Sequence, residues 1–278
     1  MLYLVGTPIG NLSDLSPRAI EILSSVDAVA CEDTRRTGLL LSGLGIKKKL
    51  ISYHEHNRTQ KGELIISMIA EGQNIALVSD AGMPCISDPG EELVRDCARA
   101  GVDVQVIPGP VAAISALALS GLDSKRFFFE GFLPSDGKER KQRLGELLSH
   151  RQTFILYEAP HRILRTLEDL ISIGLGDRMT AVCRELTKKY EEVLRVTVSE
   201  AREHFLLTPP RGEFVLVVAG GLPPGEKKVR EWSEEEREKR IRDLLSDGLS
   251  TKDISLTLSN EWKESRKSIY ARIVKMLN

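Results

Sequence analysis

Three turns rich in glycine and proline are suited to holding a ligand with the backbone. They are Gly6-Thr7-Pro8-Ile9-Gly10-Asn11, Ser79-Asp80-Ala81-Gly82-Met83-Pro84 and Ile107-Pro108-Gly109-Pro110, and each follows a short apolar run. Glycine lets a ligand approach the main chain closely, and proline fixes the turn. None of the three is a phosphate motif: G-x-x-x-x-G-K-[ST] is absent, and the first turn is not G-x-G-x-x-G. Such loops suit a ligand held by amides and carbonyls without a phosphate-binding lysine. An adenosyl compound lacking phosphates fits. A competing reading starts from Glu32 and Asp33, which follow Gly10 by about 20 residues, the spacing of a ribose carboxylate in a dinucleotide fold. The missing glycine fingerprint and Pro8 inside the turn argue against a nicotinamide enzyme.

Two further clusters carry charge. Glu32-Asp33-Thr34-Arg35-Arg36 follows an apolar run and mixes both signs, and Ser52-Tyr53-His54-Glu55-His56-Asn57 is polar with two histidines. On a strand His54 and His56 would share a face, as metal ligands do. No other ligand cluster accompanies them, so they read as surface or substrate-contacting residues, and no metal is expected. Arg184-Glu185, near Lys188-Lys189-Tyr190, reads equally as an internal ion pair. The cysteines are Cys31, Cys85, Cys97 and Cys183, with no C-x-x-C spacing. Neither a zinc site nor a disulfide framework follows, and a reduced, cytoplasmic compartment is expected.

The elements that must position these groups alternate along the chain. Short apolar runs at 2–6, 27–31, 74–79 and 102–107 read as strands, and segments 18–25, 88–100 and 111–120 as helices. Ser16-Pro17 caps the first of these helices and Gly121 stops the last. Strands that are apolar throughout indicate an open sheet of mainly parallel strands. In such a sheet ligands sit at the carboxyl ends of strands, where all three turns fall. A second α/β unit follows: strands at 127–132, 153–158, 179–186 and 213–219, helices at 138–150 and 160–173, and a linker at 133–137. After a Gly/Pro segment at 220–225, three helices resemble a helix-turn-helix module. Its last part, 263–275, carries five basic residues (Lys263, Arg266, Lys267, Arg272, Lys275) against Glu264. That face reads either as a solvated surface or as a nucleic-acid contact. The expected domains are 1–122, 123–221 and 226–278.

The chain has 278 residues, with 39 Lys and Arg against 40 Asp and Glu, 41% hydrophobic and 28% charged. That composition excludes dominant disorder and nucleic-acid binding by bulk charge, so any contact with RNA must be local. No apolar stretch reaches the roughly 20 residues a bilayer requires. The first residues read as a strand and not as a signal peptide.

Taken together the motifs are specific. LYLVGTPIGNLSDLSPRAIEIL, ACEDTRRTGLLL, ISYHEHN, SDAGMPCISDPG, IPGPVAAISALALSGL, FFFEGFLP, YEAPHR and RELTKKYEE closely resemble the ribosomal RNA small subunit methyltransferase I family of the tetrapyrrole methylase superfamily. The resemblance runs from about residue 2 to 219. It implies two α/β domains with S-adenosylmethionine in the cleft between them, a homodimer, and 2′-O-methylation of a cytidine in the decoding region of 16S rRNA. It also implies cofactor contacts at Pro8, Asp80, Ala81, Gly82, Ile86, Ser115 and Ala116, closed from the second domain by Tyr157, Glu158, Gly212 and Glu213. The sequence departs from the commoner SDAGTPGISDPG at Met83 and Cys85, and Cys for Gly bears on the backbone angles of that loop. Leu194-Arg195 also replaces a more glycine-rich stretch.

The transfer implied needs a proton acceptor beside a ribose hydroxyl. Glu32, Asp33 and His54 are the candidates, and the alternative is that they hold the loop or the dimer together. Arg35, Arg36, Lys47, Lys48, Lys49, Arg266 and Lys267 are the expected RNA contacts, with the small ribosomal subunit or its rRNA as partner. Two other readings stay open: a tetrapyrrole or precorrin methylase, and a non-catalytic RNA-binding assembly factor.

Overall fold

The computed structural model describes residues 1–221, 232–262 and 264–277. These form two compact units, Met1–Gly221 and Leu222–Asn278. The expected linker at 220–225 lies outside the described residues beyond Gly221, as does Lys263.

The first unit holds two five-stranded sheets. The first sheet has the order β3 (Lys49–Ser52), β2 (Ala28–Cys31), β4 (Ile75–Leu77), β1 (Leu2–Val5), β5 (Val104–Ile107), and every pairing is parallel. Strand side chains alternate between faces. Ala28, Ala30, Ile75 and Leu77 therefore pack against α3 (Arg58–Ala70) and α4 (Glu91–Arg99) through Ile65, Ile69, Leu93 and Cys97. Val29, Cys31, Ala76 and Val78 face the other way, against α1 (Pro17–Ser25) and α2 (Thr34–Gly43) through Ala19, Leu23 and Leu41. Helices on both faces explain why β2 and β4 are apolar and buried throughout, while the edge strands β3 and β5 carry the polar Lys49, Ser52 and Gln105.

The second sheet has the order β6 (Phe127–Phe132), β7 (Thr153–Glu158), β10 (Phe214–Val218), β8 (Met179–Arg184), β9 (Glu192–Thr197). Only β6 and β7 are parallel; the other three pairings are antiparallel. One face packs on α6 (Gly137–Ser149), α7 (Ile163–Ser172) and α8 (Val198–Leu207). The other face, with Ile155, Ala181, Cys183, Val215 and Val217, packs on α5 (Ala112–Ser120) through Ala113, Ala116 and Leu117. A helix that follows the first sheet in the chain thus covers the second sheet. Ile9, from the turn after β1, joins α5 on that face in one apolar cluster.

Several local expectations are corrected. The segment 133–137 is no free linker: Leu133 is buried in the core, and the carbonyls of Leu133 and Pro134 accept hydrogen bonds from Arg162 and Arg140. His54 and His56 are not on a strand, because β3 ends at Ser52 and the chain turns there. The helix expected from Asp88 starts at Glu91, with Gly90 at its N-cap at φ 141°. The helix expected from Pro160 starts at Ile163.

The second unit packs α9 (Glu234–Ser246), α10 (Thr251–Trp262) and α11 (Arg266–Leu277) around Ile241, Ile254, Leu258, Trp262, Ile269 and Ile273. A capping box of Ser233 and Glu236 starts α9. Ser250 accepts from the Asp253 amide at 3.2 Å and starts α10. The Arg237 guanidinium lies over the Trp262 ring at 5.2 Å and pairs with Glu264, while Arg272 pairs with Glu234. No described helix is long and apolar enough to cross a membrane.

Candidate active site

The three glycine-rich turns meet at the carboxyl ends of β1, β4 and β5. Thr7 and Gly82 exchange backbone hydrogen bonds, 2.8 Å from the Thr7 amide and 3.1 Å from the Gly82 amide. The Ser79 hydroxyl donates to the Gly82 carbonyl at 3.1 Å, and the buried Thr7 hydroxyl lies 3.2 Å from the Ser79 carbonyl. Gly82 holds φ +90°, which side-chain-bearing residues rarely adopt. The third turn is pressed against the first. A Cβ on Gly6 would lie 2.7 Å from Gly109 Cα, so both positions require glycine.

These loops form one wall of a cavity of about 390 Å³. Asp80, Ala81, Gly82, Met83, Ile86 and Asp88 line it from the first sheet, and Tyr157, Glu158, Cys183, Glu213 and Val215 from the second. Tyr157 spans the two halves, its hydroxyl accepting from the Ala113 amide at 3.1 Å at the start of α5. Phe129 and Phe132 flank its ring edge-on at 5.1 and 5.5 Å. Glu158 is buried and fully engaged. Its carboxylate accepts from the Thr166 hydroxyl at 2.5 Å and the Ala159 amide at 2.9 Å, and pairs with Arg162 at 3.2 Å. Arg140, itself buried, ties Thr166 to Asp169. Glu213 is held at the rim by Lys188, which also pairs with Glu185, both at 2.9 Å.

Electrostatics distinguish the carboxylates. Burial pushes the Asp88 carboxyl up to about 6, helped by the negative Glu32 and Asp80 and opposed by the neighbouring Ser79 side chain. Asp33 goes the other way, down to about 2, because the Arg35 side chain and amide hydrogen-bond to it. Burial raises the Cys183 and Cys85 thiols to about 11, which removes them as nucleophiles at neutral pH.

Of the residues expected at the cofactor, Asp80, Ala81, Gly82, Ile86, Tyr157, Glu158 and Glu213 line the cavity. Pro8, Ser115, Ala116 and Gly212 are not among its lining. The Ser115 hydroxyl is turned to the Val111 carbonyl, Ala116 is packed beneath in the core, and Gly212 abuts Glu185. None of Glu32, Asp33 and His54 lines it. Glu32 is exposed but close enough to act on Asp88. Asp33 caps α2, and its amide donates to Asp80 at 3.1 Å. His54 contacts Asn57 through Nε2 at 3.1 Å, while its buried Nδ1 has no partner. Arg36 reaches Asp80 at 3.3 Å, Arg35 pairs with Asp33, and Lys49 opens the edge strand β3. Arg266 and Lys267 are exposed on α11 in the other unit. Asp88 was missed by sequence reasoning, since its burial is a property of the folded loop. Cys85 keeps φ +70°, so the glycine-like conformation survives without glycine.

Among the described residues no lysine or arginine lines the cavity, while Asp80, Asp88, Glu158 and Glu213 do. A phosphate ligand is disfavoured there. The lining also includes the apolar Ile9, Ile86 and Val111, a surface of the kind that takes a nucleoside without phosphates. Among the described residues no group of three or more His, Cys, Asp or Glu is arranged to hold a metal ion.

The sequence profile of the family described as Tetrapyrrole (Corrin/Porphyrin) Methylases matches residues 1–202. The chain belongs to the tetrapyrrole methylase family. Within it, the chain is 47% identical to a Synechocystis sp. protein named ribosomal RNA small subunit methyltransferase I, over 97% of this chain and 96% of that one. The Bacillus subtilis protein of the same name is 45% identical over 97% of this chain and 92% of its own. A Thermotoga maritima protein of that name is 46% identical over 79% of this chain and 98% of its own. Among solved structures, a diphthine synthase superposes with TM-score 0.62 at 16% identity, covering 80% of this chain and 91% of that one. A uroporphyrin-III-C-methyltransferase from Thermus thermophilus superposes with TM-score 0.56 at 21% identity, covering 78% and 93%. Those two likenesses carry the fold. This tetrapyrrole methylase is an S-adenosylmethionine-dependent methyltransferase, and its apolar, carboxylate-lined cavity suits that cofactor.

Proposed function

We propose that this chain methylates the ribose 2′-hydroxyl of a cytidine in the decoding region of 16S rRNA, acting as a homodimer in the cytoplasm. The observation that carries the substrate is similarity along nearly the whole chain to relatives named ribosomal RNA small subunit methyltransferase I. The proposed domain division is 1–122, 123–221 and 226–278. A tetrapyrrole substrate is less well supported, because the structural neighbours that act on one are related at the level of the fold.

Bound S-adenosylmethionine supplies an activated methyl group, so the protein's task is alignment and proton removal. Asp80, Ala81, Gly82 and Ile86 would hold the cofactor from the first sheet and Tyr157 and Glu213 from the second, with Glu158 backing that wall. Glu158 is spent on its own hydrogen bonds and shapes the wall. Glu32 and His54 remain proton acceptors for the ribose hydroxyl, and Asp88 joins them. Its basicity, near neutral, is better matched to the task than that of Asp33. Arg35, Arg36, Lys47, Lys48, Lys49, Arg266 and Lys267 contact phosphates.

The test is incubation with labelled S-adenosylmethionine and unmethylated small subunits, followed by mapping of the modified nucleoside. Label in a 2′-O-methylcytidine of the decoding region is the expected result; label elsewhere, or none, defeats the proposal. In the same assay Asp88→Ala, Glu32→Ala and His54→Ala separate the acceptors. The true base loses about 10²–10⁴-fold in kcat.

A further inference from the structure

A second cavity, also of about 390 Å³, opens on the other side of the Ser87-Asp88 segment, and those two residues line both. The partition between the cavities is strained. Cys85 holds φ 70° and Ser87 φ 60°, while Gly90 holds φ 141° with its α-carbon hydrogens facing Cys85 Sγ. Residues held in such conformations cluster where a ligand is clamped. The floor of the second cavity is Tyr53, buried, with its amide bonded to the Cys31 carbonyl at 2.8 Å. Its far wall is the first turn of α4 and the start of α3. Arg58 pairs there with Glu92 at 2.9 Å, and Arg95 lies 3.5 Å from Glu91 and 3.8 Å from Glu92.

The charge pattern says what fits. Glu55, Asp88, Glu91 and Glu92 outnumber Arg58 and Arg95, so the cavity disfavours phosphate. It instead sets carboxylate acceptors beside guanidinium donors. That array complements a base edge with an amino donor next to ring-nitrogen and carbonyl acceptors. Cytosine presents such an edge, and a carboxylate accepting from its N4 amino group is a known mode of reading it. Uracil keeps the O2 acceptor but has a carbonyl in place of the amino group and an N–H in place of the ring-nitrogen acceptor, so it would set a carbonyl against a carboxylate. The size suits an unstacked nucleoside.

We infer that this second cavity is the subsite for the target base, with Glu92 and Arg95 reading the amino and acceptor groups of cytosine. The sugar of a base seated there lies at the Ser87-Asp88 partition, next to the methyl donor's cavity. The inference rests on the proposed RNA methylation.

The experiment measures methyl transfer from labelled S-adenosylmethionine to small subunits carrying C or U at the target nucleotide, using wild type, Glu92→Gln and Arg95→Gln. Wild type is expected to favour C by at least about tenfold. Each variant should lose about tenfold or more in kcat/KM on C and narrow the C-to-U ratio, with cofactor Kd by calorimetry unchanged within about twofold. Wild-type kcat/KM and C-to-U ratio in both variants would overturn the subsite. So would loss of cofactor affinity in step with activity. Failure of the wild type to methylate either RNA overturns the methylation reading and the subsite with it, before any variant is compared. Both side chains are at least a third exposed, which favours intact folding; Arg58→Gln replaces any variant that does not fold.

Discussion

Asp88 shows how a single carboxylate acquires its properties from the fold. It is drawn into the partition between two cavities, and burial beside Glu32 and Asp80 raises its pKa from 3.8 to about 6. A carboxyl with a raised folded pKa binds its proton more tightly in the native state, so stability falls as pH rises from about 4 through about 6 and then levels off. The gap corresponds to about 3 kcal/mol for a fully buried group. Solvent screening of this half-buried side chain reduces it to on the order of 1 kcal/mol. Asp88→Asn should therefore raise stability in urea by about that amount at pH 7.5 and leave it unchanged at pH 3.5. A gain of equal size at both pH values would contradict the burial argument. The sequence marks Asp80 and Gly82 through their turn signature; Asp88 stands in the same SDAGMPCISDPG run, but nothing there shows its burial or the approach of Glu32. The reverse holds for Asp33. Its position after a strand made it a candidate base, yet it is fixed by Arg35 and by its duty as the cap of α2.

Among the elements, the turns after β1, β4 and β5 act as one body. The Thr7–Gly82 bridge joins the first two, and the Gly6–Gly109 contact joins the first and third. Gly109→Ala would bring a Cβ to 2.8 Å from Gly6 Cα and force the turns apart. The expected cost is about 1–3 kcal/mol of stability. Cofactor affinity should fall about tenfold or more, read by calorimetry, because Val111 and Ala112 follow that turn into the cavity. Unchanged affinity would mean the third turn takes no part in shaping the site. Four strands of the first sheet, β1, β2, β4 and β5, are legible as short apolar runs, whereas the edge strand β3, Lys49–Ser52, has only Ile51 buried and shows no such run. That pattern carries no information about direction. β10, with Phe214 to Val218 all buried, looks like a parallel strand but pairs antiparallel on both sides, since α5 covers the face that would otherwise be polar. The helices α2 and α3 escaped the reading. In α3 the buried Gly62, Ile65, Met68 and Ile69 share the helix with the exposed Leu64, so its apolar stripe is blurred, and no side chain caps its start.

For the whole molecule the balance of 39 basic and 40 acidic residues constrains where RNA can bind. Among the described residues the charged side chains lining the cofactor cavity are carboxylates, so phosphates are met elsewhere. The second unit offers one such place. On α11, Ile269 and Ile273 face the core and Arg272 is paired with Glu234, while Arg266, Lys267 and Tyr270 are exposed. The Thermotoga maritima relative matches 98% of its own length but 79% of this chain, so about a fifth of this chain has no counterpart there. Each phosphate contact contributes about 0.7–0.9 to the slope of log K against log salt. Replacing Arg266 and Lys267 together by Ala should lower that slope by about 1.5 for small-subunit RNA, with cofactor Kd unchanged. An unaltered slope would leave α11 as the solvated face of a three-helix bundle. The grip would then fall to Arg35, Arg36 and Lys47 to Lys49, where the edge strand β3 already has a structural use for lysine, in deterring pairing with another chain.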